Sequence, residues 1–439
     1  MASSSADSRP TARGGLDVRA FHGLVYRQQD PDHLARVTSP AYDLVTAAGR
    51  DRLAAVDPHN IVRLILPRVE AGPVVPGTHG APADAEPVDS ARQAAGTLRD
   101  WLTDGVLDRT SAPGLWRYEM RGPGAATTTG WLGAVTLPAP GSDAVLPHED
   151  TYAPAVEGRR ALLAATGTDL EPIVLAHDAD DELAELTTQA GLAAPDMEVA
   201  DPDGVSHRLW AVTDPEAVAA LTRALGRTSA VIADGHHRFA AARAHSRSGA
   251  PGSDSVLALL TPMGPGGLRV HAIHRVLPDL PLGAATEAAR AGFRTRELAT
   301  PAGVPDAVRS WLDREDAAGF LLTDGDHVVV LDQPTPEVLA AVPGEAPAAW
   351  RRLDVVLAHH GLITGLWGRP DDPSSVLIAH DVAEALGAAR ERQGTALLLR
   401  SPSPAGVAAV ARAGARMPRK STLFVPKPRT GLVLRPHLG

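Results

Sequence analysis

The sequence predicts an α+β fold, with strands and helices mixed as in α/β proteins, and three observations predict it. Apolar runs such as HRLWAV (207–212) and VLALLTP (256–262) have strand length, are rich in Val and Leu, and stand between turn residues. Helical spacing separates only some of these runs, so the alternation is too irregular for clean βαβ units. From about Leu280 the pattern changes to helices with short strands, which sets off a second lobe. The expected organisation is a disordered arm over 1–14, an N-terminal α+β domain over 15–279 and a C-terminal α+β lobe, richer in helix, over 280–439. Within the first domain, 69–88 (VEAGPVVPGTHGAPADAEPV) is too poor in large apolar residues to pack and reads as a flexible loop.

Taken in order, RAFHGLVYR (19–27) is strand-like, TSPAYDLV (38–45) is turn-rich, and the run from Ile61 to Leu66 reads as a strand. Ala91, Ala94, Ala95, Leu98, Trp101 and Leu102 recur at helical spacing, and Gly105 ends that helix. GWLGAVTLPAP (130–140) is a strand. A polar loop from His148 leads into a helix around Arg159 to Ala165, followed by a strand near Pro172 to Leu175. Further strands are expected at VHAIHRVL (270–277), GFLLTD (319–324), HVVVL (327–331) and ALLLRS (396–401). His359 and His360 fall on a helix with Leu353, Val356 and Leu357, where a structural role is expected.

Composition excludes several classes of function. There is no cysteine, which removes disulfides, thiolate chemistry, zinc fingers and iron–sulfur clusters. A formal charge of -10 argues against general binding to nucleic acid or anionic membranes. No apolar run is long enough to span a bilayer, and the first fourteen residues lack the apolar centre of a signal peptide, so a cytoplasmic protein is expected. The basic residues are skewed: of 42, only Lys420 and Lys427 are lysine, seven apart in MPRKSTLFVPKPRTGL. No acidic residue follows Glu391, whereas nine basic ones do. A compact ammonium retained in this basic stretch suits a phosphate charge or a proton donor, with Ser421 and Thr422 beside it.

The segment SAVIADGHHRFAAARAHSR (229–247) carries the densest chemistry. An apolar run ends in an Asp234-Gly235 turn, and Asp234 is expected to cap an Ala-rich helix whose first turn holds His236, His237 and Arg238. The positive end of a helix favours an anion, and the Arg238 fork matches phosphate oxygens. His236 and His237 could transfer protons. They do not form a zinc pair, because adjacent helical residues point about 100° apart. A polar first turn can also be purely structural. The Walker and dinucleotide glycine patterns are absent.

Two further groups are candidates. In His148-Glu149-Asp150-Thr151, either carboxylate could hold Mg²⁺ or act as base, with Arg159 and Arg160 downstream to clamp phosphate. A solvated loop with ion pairs is the alternative. Tyr42, Asp43, Asn60 and Arg63 are read first as an Asx turn and a surface-reaching strand end, with ligand contacts as the alternative that only a resemblance raises.

The motifs SPAYDLV, HNIVRL, LPHEDT with RRALLAAT, IADGHHRFAAA and MPRKSTLFVPK, in this order over about residues 17–434, resemble the prokaryotic domain-of-unknown-function 1015 family. The Asp-Gly-His-His-Arg turn also resembles that of archaeal free-serine kinases and the Gly-x-His-Arg turn of the ParB/sulfiredoxin superfamily. That resemblance implies a ParB/sulfiredoxin-like phosphate-binding core, a nucleotide (ATP or ADP) with Mg²⁺, and phosphoryl transfer to a small hydroxyl metabolite such as serine. Alternatives are a phosphoserine-type phosphatase or lyase, and a non-catalytic nucleotide-responsive binding protein. Asp234, Gly235, His236, His237 and Arg238 match the phosphate turn. Glu149 and Asp234 are candidates for base or Mg²⁺ ligand, and Arg159, Arg160, Lys420, Ser421, Thr422 and Lys427 for phosphate or nucleotide contacts. Tyr42, Asp43, Asn60, Arg63, His148 and Thr151 are candidate substrate contacts. Ala41 replaces a more usual proline, and Phe239 a more usual tyrosine.

Overall fold

Apolar runs of strand length do become strands, and most gather in one mixed sheet. The computed structural model describes residues 14–68, 87–123, 127–264, 266–314, 319–370, 372, 374–418 and 420–438. The expected disordered arm, apart from Gly14, and the expected loop over 69–86 lie outside the described residues. Pro87 and Val88, read as the end of that loop, instead open the helix Pro87–Thr103.

Two compact units divide the chain. The first comprises Met1–Leu146, Thr151–Leu268 and Pro426–Gly439; the second comprises Pro147–Asp150 and Arg269–Val425. The break between the units falls at 268/269, where the sequence pattern places it at 279/280, and the final segment belongs to the first unit.

The first unit is built on a nine-stranded sheet. Its middle strand, Ser255–Pro262, pairs antiparallel with Thr127–Thr136 and parallel with Ile173–His177. Ile173–His177 in turn pairs antiparallel with Ala230–Asp234, and the register shifts between Ile232 and Asp234. That irregularity re-aims the end of the strand. Ile173, Leu175, Ile232, Ala258 and Leu260 pack in one buried cluster, while Leu257 and Leu259 join a second one with Trp116 and Tyr118. Alternate residues of Ser255–Pro262 thus supply the two clusters, as the pleat dictates.

The run Ile61–Leu66 corrects the sequence reading: Val62–Ile65 is one helical turn, not a strand. The Asn60 side chain accepts the Val62 N–H at 3.0 Å and donates to the carbonyls of Arg36 and Thr38. It pins the chain into a turn, and Val62, Leu64 and Ile65 are all buried whichever way they point. A short run with one charged residue among six carries too little period to distinguish helix from strand.

The C-terminal segment straps the first unit. Thr430 exchanges backbone hydrogen bonds with Ser39, and Leu434 does so with Leu24. Arg429 ion-pairs with Asp201 and donates to Thr38, while its backbone N–H donates to the buried Tyr118 hydroxyl at 2.9 Å. Arg435 pairs with Asp169 at 2.6 Å, both side chains being almost fully buried.

In the second unit a six-stranded sheet with antiparallel pairings includes Phe320–Thr323, Val328–Asp332 and Thr395–Leu398. The run over 270–277 splits into Arg269–Ala272 and His274–Leu277, which pair with different partners. Asp354–Leu357 begins a helix that widens to π-helical hydrogen bonding over Ala358–Leu366 and contains His359 and His360. The protein is a mixed α+β fold. Among the described residues, no helix is long and apolar enough to cross a membrane.

Candidate functional site in the first unit

Asp234 ends its strand and Gly235 turns the chain with φ 92°. A side chain at Gly235 would be strained by that φ and would place its Cβ 2.9 Å from Ile173 Cγ2, so only glycine fits. The helix His236–Ser246 follows directly. Gly235, not Asp234, occupies the N-cap, and no side chain caps it. The Asp234 carboxylate is engaged elsewhere: it pairs with Arg238 one turn on and with Lys427 at 2.8 Å. The first intrahelical donor of the ladder is the Phe239 N–H, to Gly235 at 2.8 Å. Amides ahead of such a donor have no acceptor within their own helix and mark its positive end.

Lys427 joins two carboxylates, Asp43 and Asp234, and its side chain is only 11% exposed. Burial lowers the ammonium pKa, but Asp234 and Asp43 together outweigh that and hold it above the ordinary lysine value. Arg238, also 11% exposed, donates to the Pro172 carbonyl, and its Nε is buried with no hydrogen-bond partner among the described residues. Tyr42 lies against both arginines: the Arg159 guanidinium carbon is 3.7 Å from the ring centroid and that of Arg238 5.5 Å. Burial raises the Tyr42 phenol pKa, opposed by the two guanidinium groups. Glu171 accepts the Tyr42 N–H at 3.1 Å and the Thr430 hydroxyl at 3.0 Å. His237 Nε2 accepts the Tyr152 N–H at 3.1 Å, which places its ring proton on Nδ1. His236 is buried.

A recess of about 50 Å³ beside Arg238, Arg159 and Glu171 admits water-sized groups. A larger groove of about 290 Å³ runs from Tyr42 and Arg159 over Ile65, Leu66, Ala155 and Gly158.

Residues far apart in sequence thus meet in one unit, Asp43 and Lys427 across 384 positions: Tyr42, Asp43, Arg159, Asp234, Arg238 and Lys427. The remaining candidates are placed otherwise. Arg159 also donates to the Ile65 carbonyl, and Arg63 donates to the Ala54 carbonyl. Asn60 is committed to backbone, as described above. Arg160 pairs with Glu157 on the helix Ala153–Thr166, and Thr151 is exposed. His148 and Glu149 belong to the second unit, where Thr422 Oγ1 lies 3.0 Å from His148 Nε2 and 3.3 Å from Glu149 Oε1. Lys420 is exposed there, and the Ser421 hydroxyl donates to the Pro418 carbonyl. Glu171 escaped the sequence reading. Its signal was an acidic residue heading a wholly buried strand, a placement that costs free energy without partners.

Among the described residues, no group of three His, Asp or Glu side chains forms a metal cage. Asp43 and Asp234 have the oxygen donors Mg²⁺ prefers, but Lys427 and Arg238 already balance their two charges, so the donor set does not fit a protein-held ion.

Family membership follows from the chain itself, because one family profile matches residues 18–356. The chain belongs to the DUF1015 family, described as a protein of unknown function. No curated protein matches it. Among solved structures, it is similar to a free serine kinase in complex with AMP, at 13% identity and TM-score 0.31, over 64% of this chain and 84% of that one. It is also similar to C-terminally truncated SbnI from Staphylococcus aureus, at 13% identity and TM-score 0.37, over 69% and 85%. A conserved hypothetical protein from Pyrococcus furiosus matches at 14% identity and TM-score 0.30, over 64% and 88%.

Proposed function

We propose that this DUF1015 protein binds a nucleotide through its phosphates at the Asp234–Arg238 turn and transfers a phosphoryl group to a small hydroxyl metabolite of the serine type. One observation carries the reading: the ammonium of Lys427 and the guanidinium of Arg238 share the Asp234 carboxylate at the uncapped start of the helix His236–Ser246. Both cations are charged, nearly buried and held by a partner that a phosphate can replace. An arriving phosphoryl group takes Lys427 and Arg238 as ligands alongside the helix amides, and these stabilise the charge on its oxygens during transfer. Asp234, released from its cations, then accepts the proton of the attacking hydroxyl. The hydroxyl oxygen bonds to the terminal phosphorus, the bridging P–O bond breaks, and the shortened nucleotide leaves with the electron pair. His237, with its proton on Nδ1, is oriented as a donor. Mg²⁺ is assigned no step here.

The test supplies purified protein with ATP or ADP, Mg²⁺ and a panel of hydroxyl metabolites including L-serine, read by mass spectrometry. The reading requires a phosphorylated metabolite with matching nucleotide consumption, lost in Lys427→Met and Arg238→Gln. Release of phosphate from phosphoserine without nucleotide selects the phosphatase instead. Nucleotide binding with neither product selects the binding protein.

A further inference from the structure

The second unit contains a recess of about 290 Å³ that the phosphoryl-transfer reading does not use. Its size suits a small metabolite, since sites for larger ligands reach several hundred cubic ångströms or more. Ile273, Leu353 and Leu399 make apolar walls. Arg352, Asp354 and Arg400 bring both signs of charge into the same small space.

The hydroxyls of this recess are prearranged. Ser401 Oγ accepts the Ala272 N–H at 3.1 Å, and Ser403 Oγ accepts the Gly406 N–H at 3.0 Å as it caps the helix Pro404–Arg412. Each oxygen is fixed as an acceptor, so its own O–H hydrogen is left to point at an acceptor in the recess. Arg400 is anchored by a hydrogen bond to the Arg314 carbonyl. Two hydroxyl donors and two guanidinium groups therefore suit an oxyanion.

Asp354 suits the opposite charge. Asp354 lines the recess and is exposed by area, yet neighbouring groups crowd it enough that burial raises its pKa, with Arg400 opposing. Among the described residues it accepts no hydrogen bond. A simple anion would be repelled by it, and a bare cation by the two arginines.

We infer that this recess binds a small zwitterion of the α-amino-acid class, its carboxylate on Arg400, Arg352, Ser401 and Ser403 and its ammonium on Asp354. The site lies wholly within the second unit and stands independently of the phosphoryl-transfer reading.

Isothermal calorimetry on the full chain with each common α-amino acid, and with acetate and ethylamine as the two halves of the zwitterion, tests it. At least one amino acid is expected to bind where neither half does. Asp354→Asn and Arg400→Gln should each weaken that binding more than tenfold with the melting temperature retained, and Ser401→Ala, a milder change, should weaken it less. Lys427→Met should leave it unchanged, which separates this site from the one in the first unit. Absence of binding across the panel, equal binding of acetate, or undiminished binding in both Asp354→Asn and Arg400→Gln would overturn the inference.

Discussion

Replacing Lys427 with Met removes the one ammonium that joins Asp43 and Asp234, and the structure sets the size of the effect. At the 2.8 Å separation from Asp234, Coulomb's law at an effective dielectric of ~20 gives a gross attraction of about 6 kcal/mol. Much of that offsets the desolvation of an ammonium only 11% exposed, and Asp43 and Asp234 are themselves 30% and 15% exposed. Removing the shared ammonium takes one cation from Asp43 and leaves Asp234 with Arg238 alone, a loss on the order of 3–5 kcal/mol. Hydrogen exchange read on peptides over Ala230–Asp234 and His236–Ser246 should therefore speed up by roughly 10²- to 5 × 10³-fold. Asp43→Asn added to Lys427→Met should restore part of the protection. A loss below about 1 kcal/mol would refute the idea that this lysine holds the cluster together.

Gly235→Ala should cost about 1–3 kcal/mol by urea unfolding, because φ is 92° there and Ile173 stands in the way, whereas Gly96→Ala, in a helix with open space around it, should stabilise by ~0.5–1 kcal/mol. Burial pushes His274 down to about 4 from 6.5, and its Nδ1 accepts the Leu399 N–H as the neutral ring. Its contribution is thus complete above pH 6.5 and is lost as pH falls to about 4, at most ~3 kcal/mol, and His274→Gln should flatten that part of a stability-versus-pH curve. Arg435→Met leaves Asp169 buried with its main counter-charge removed, and a loss near 3 kcal/mol in the first unit is expected by the same denaturation assay.

How far the sequence was legible depends on how local each signal is. Strands such as Ala230–Asp234 and Ser255–Pro262 declare themselves within a few residues, and the turn at Gly235 lies within a single motif. The Ile61–Leu66 run failed because five of its six residues are apolar, and Arg63 alone cannot fix a period. The contacts of Lys427, Arg429 and Arg435 cross 193 to 391 positions, and nothing beside those residues names Asp234, Thr38 or Asp169 as partners. Lys427 stood out through composition, as one of two lysines among forty arginines. Glu171 and the Pro172 carbonyl carried no such mark.

The C-terminal strap imposes a timetable. Strand pairing in the first unit can begin as soon as its sheet residues emerge from the ribosome, but Lys427, Arg429 and Arg435 are made only after Arg269–Val425 has been synthesised. At roughly 5–20 residues per second, those intervening residues take about 8–30 s. Throughout that interval Asp169, Asp201 and Asp234 lack the cations that Arg435, Arg429 and Lys427 bring them in the finished protein, so the first unit waits in an unsealed state for residues 427–435.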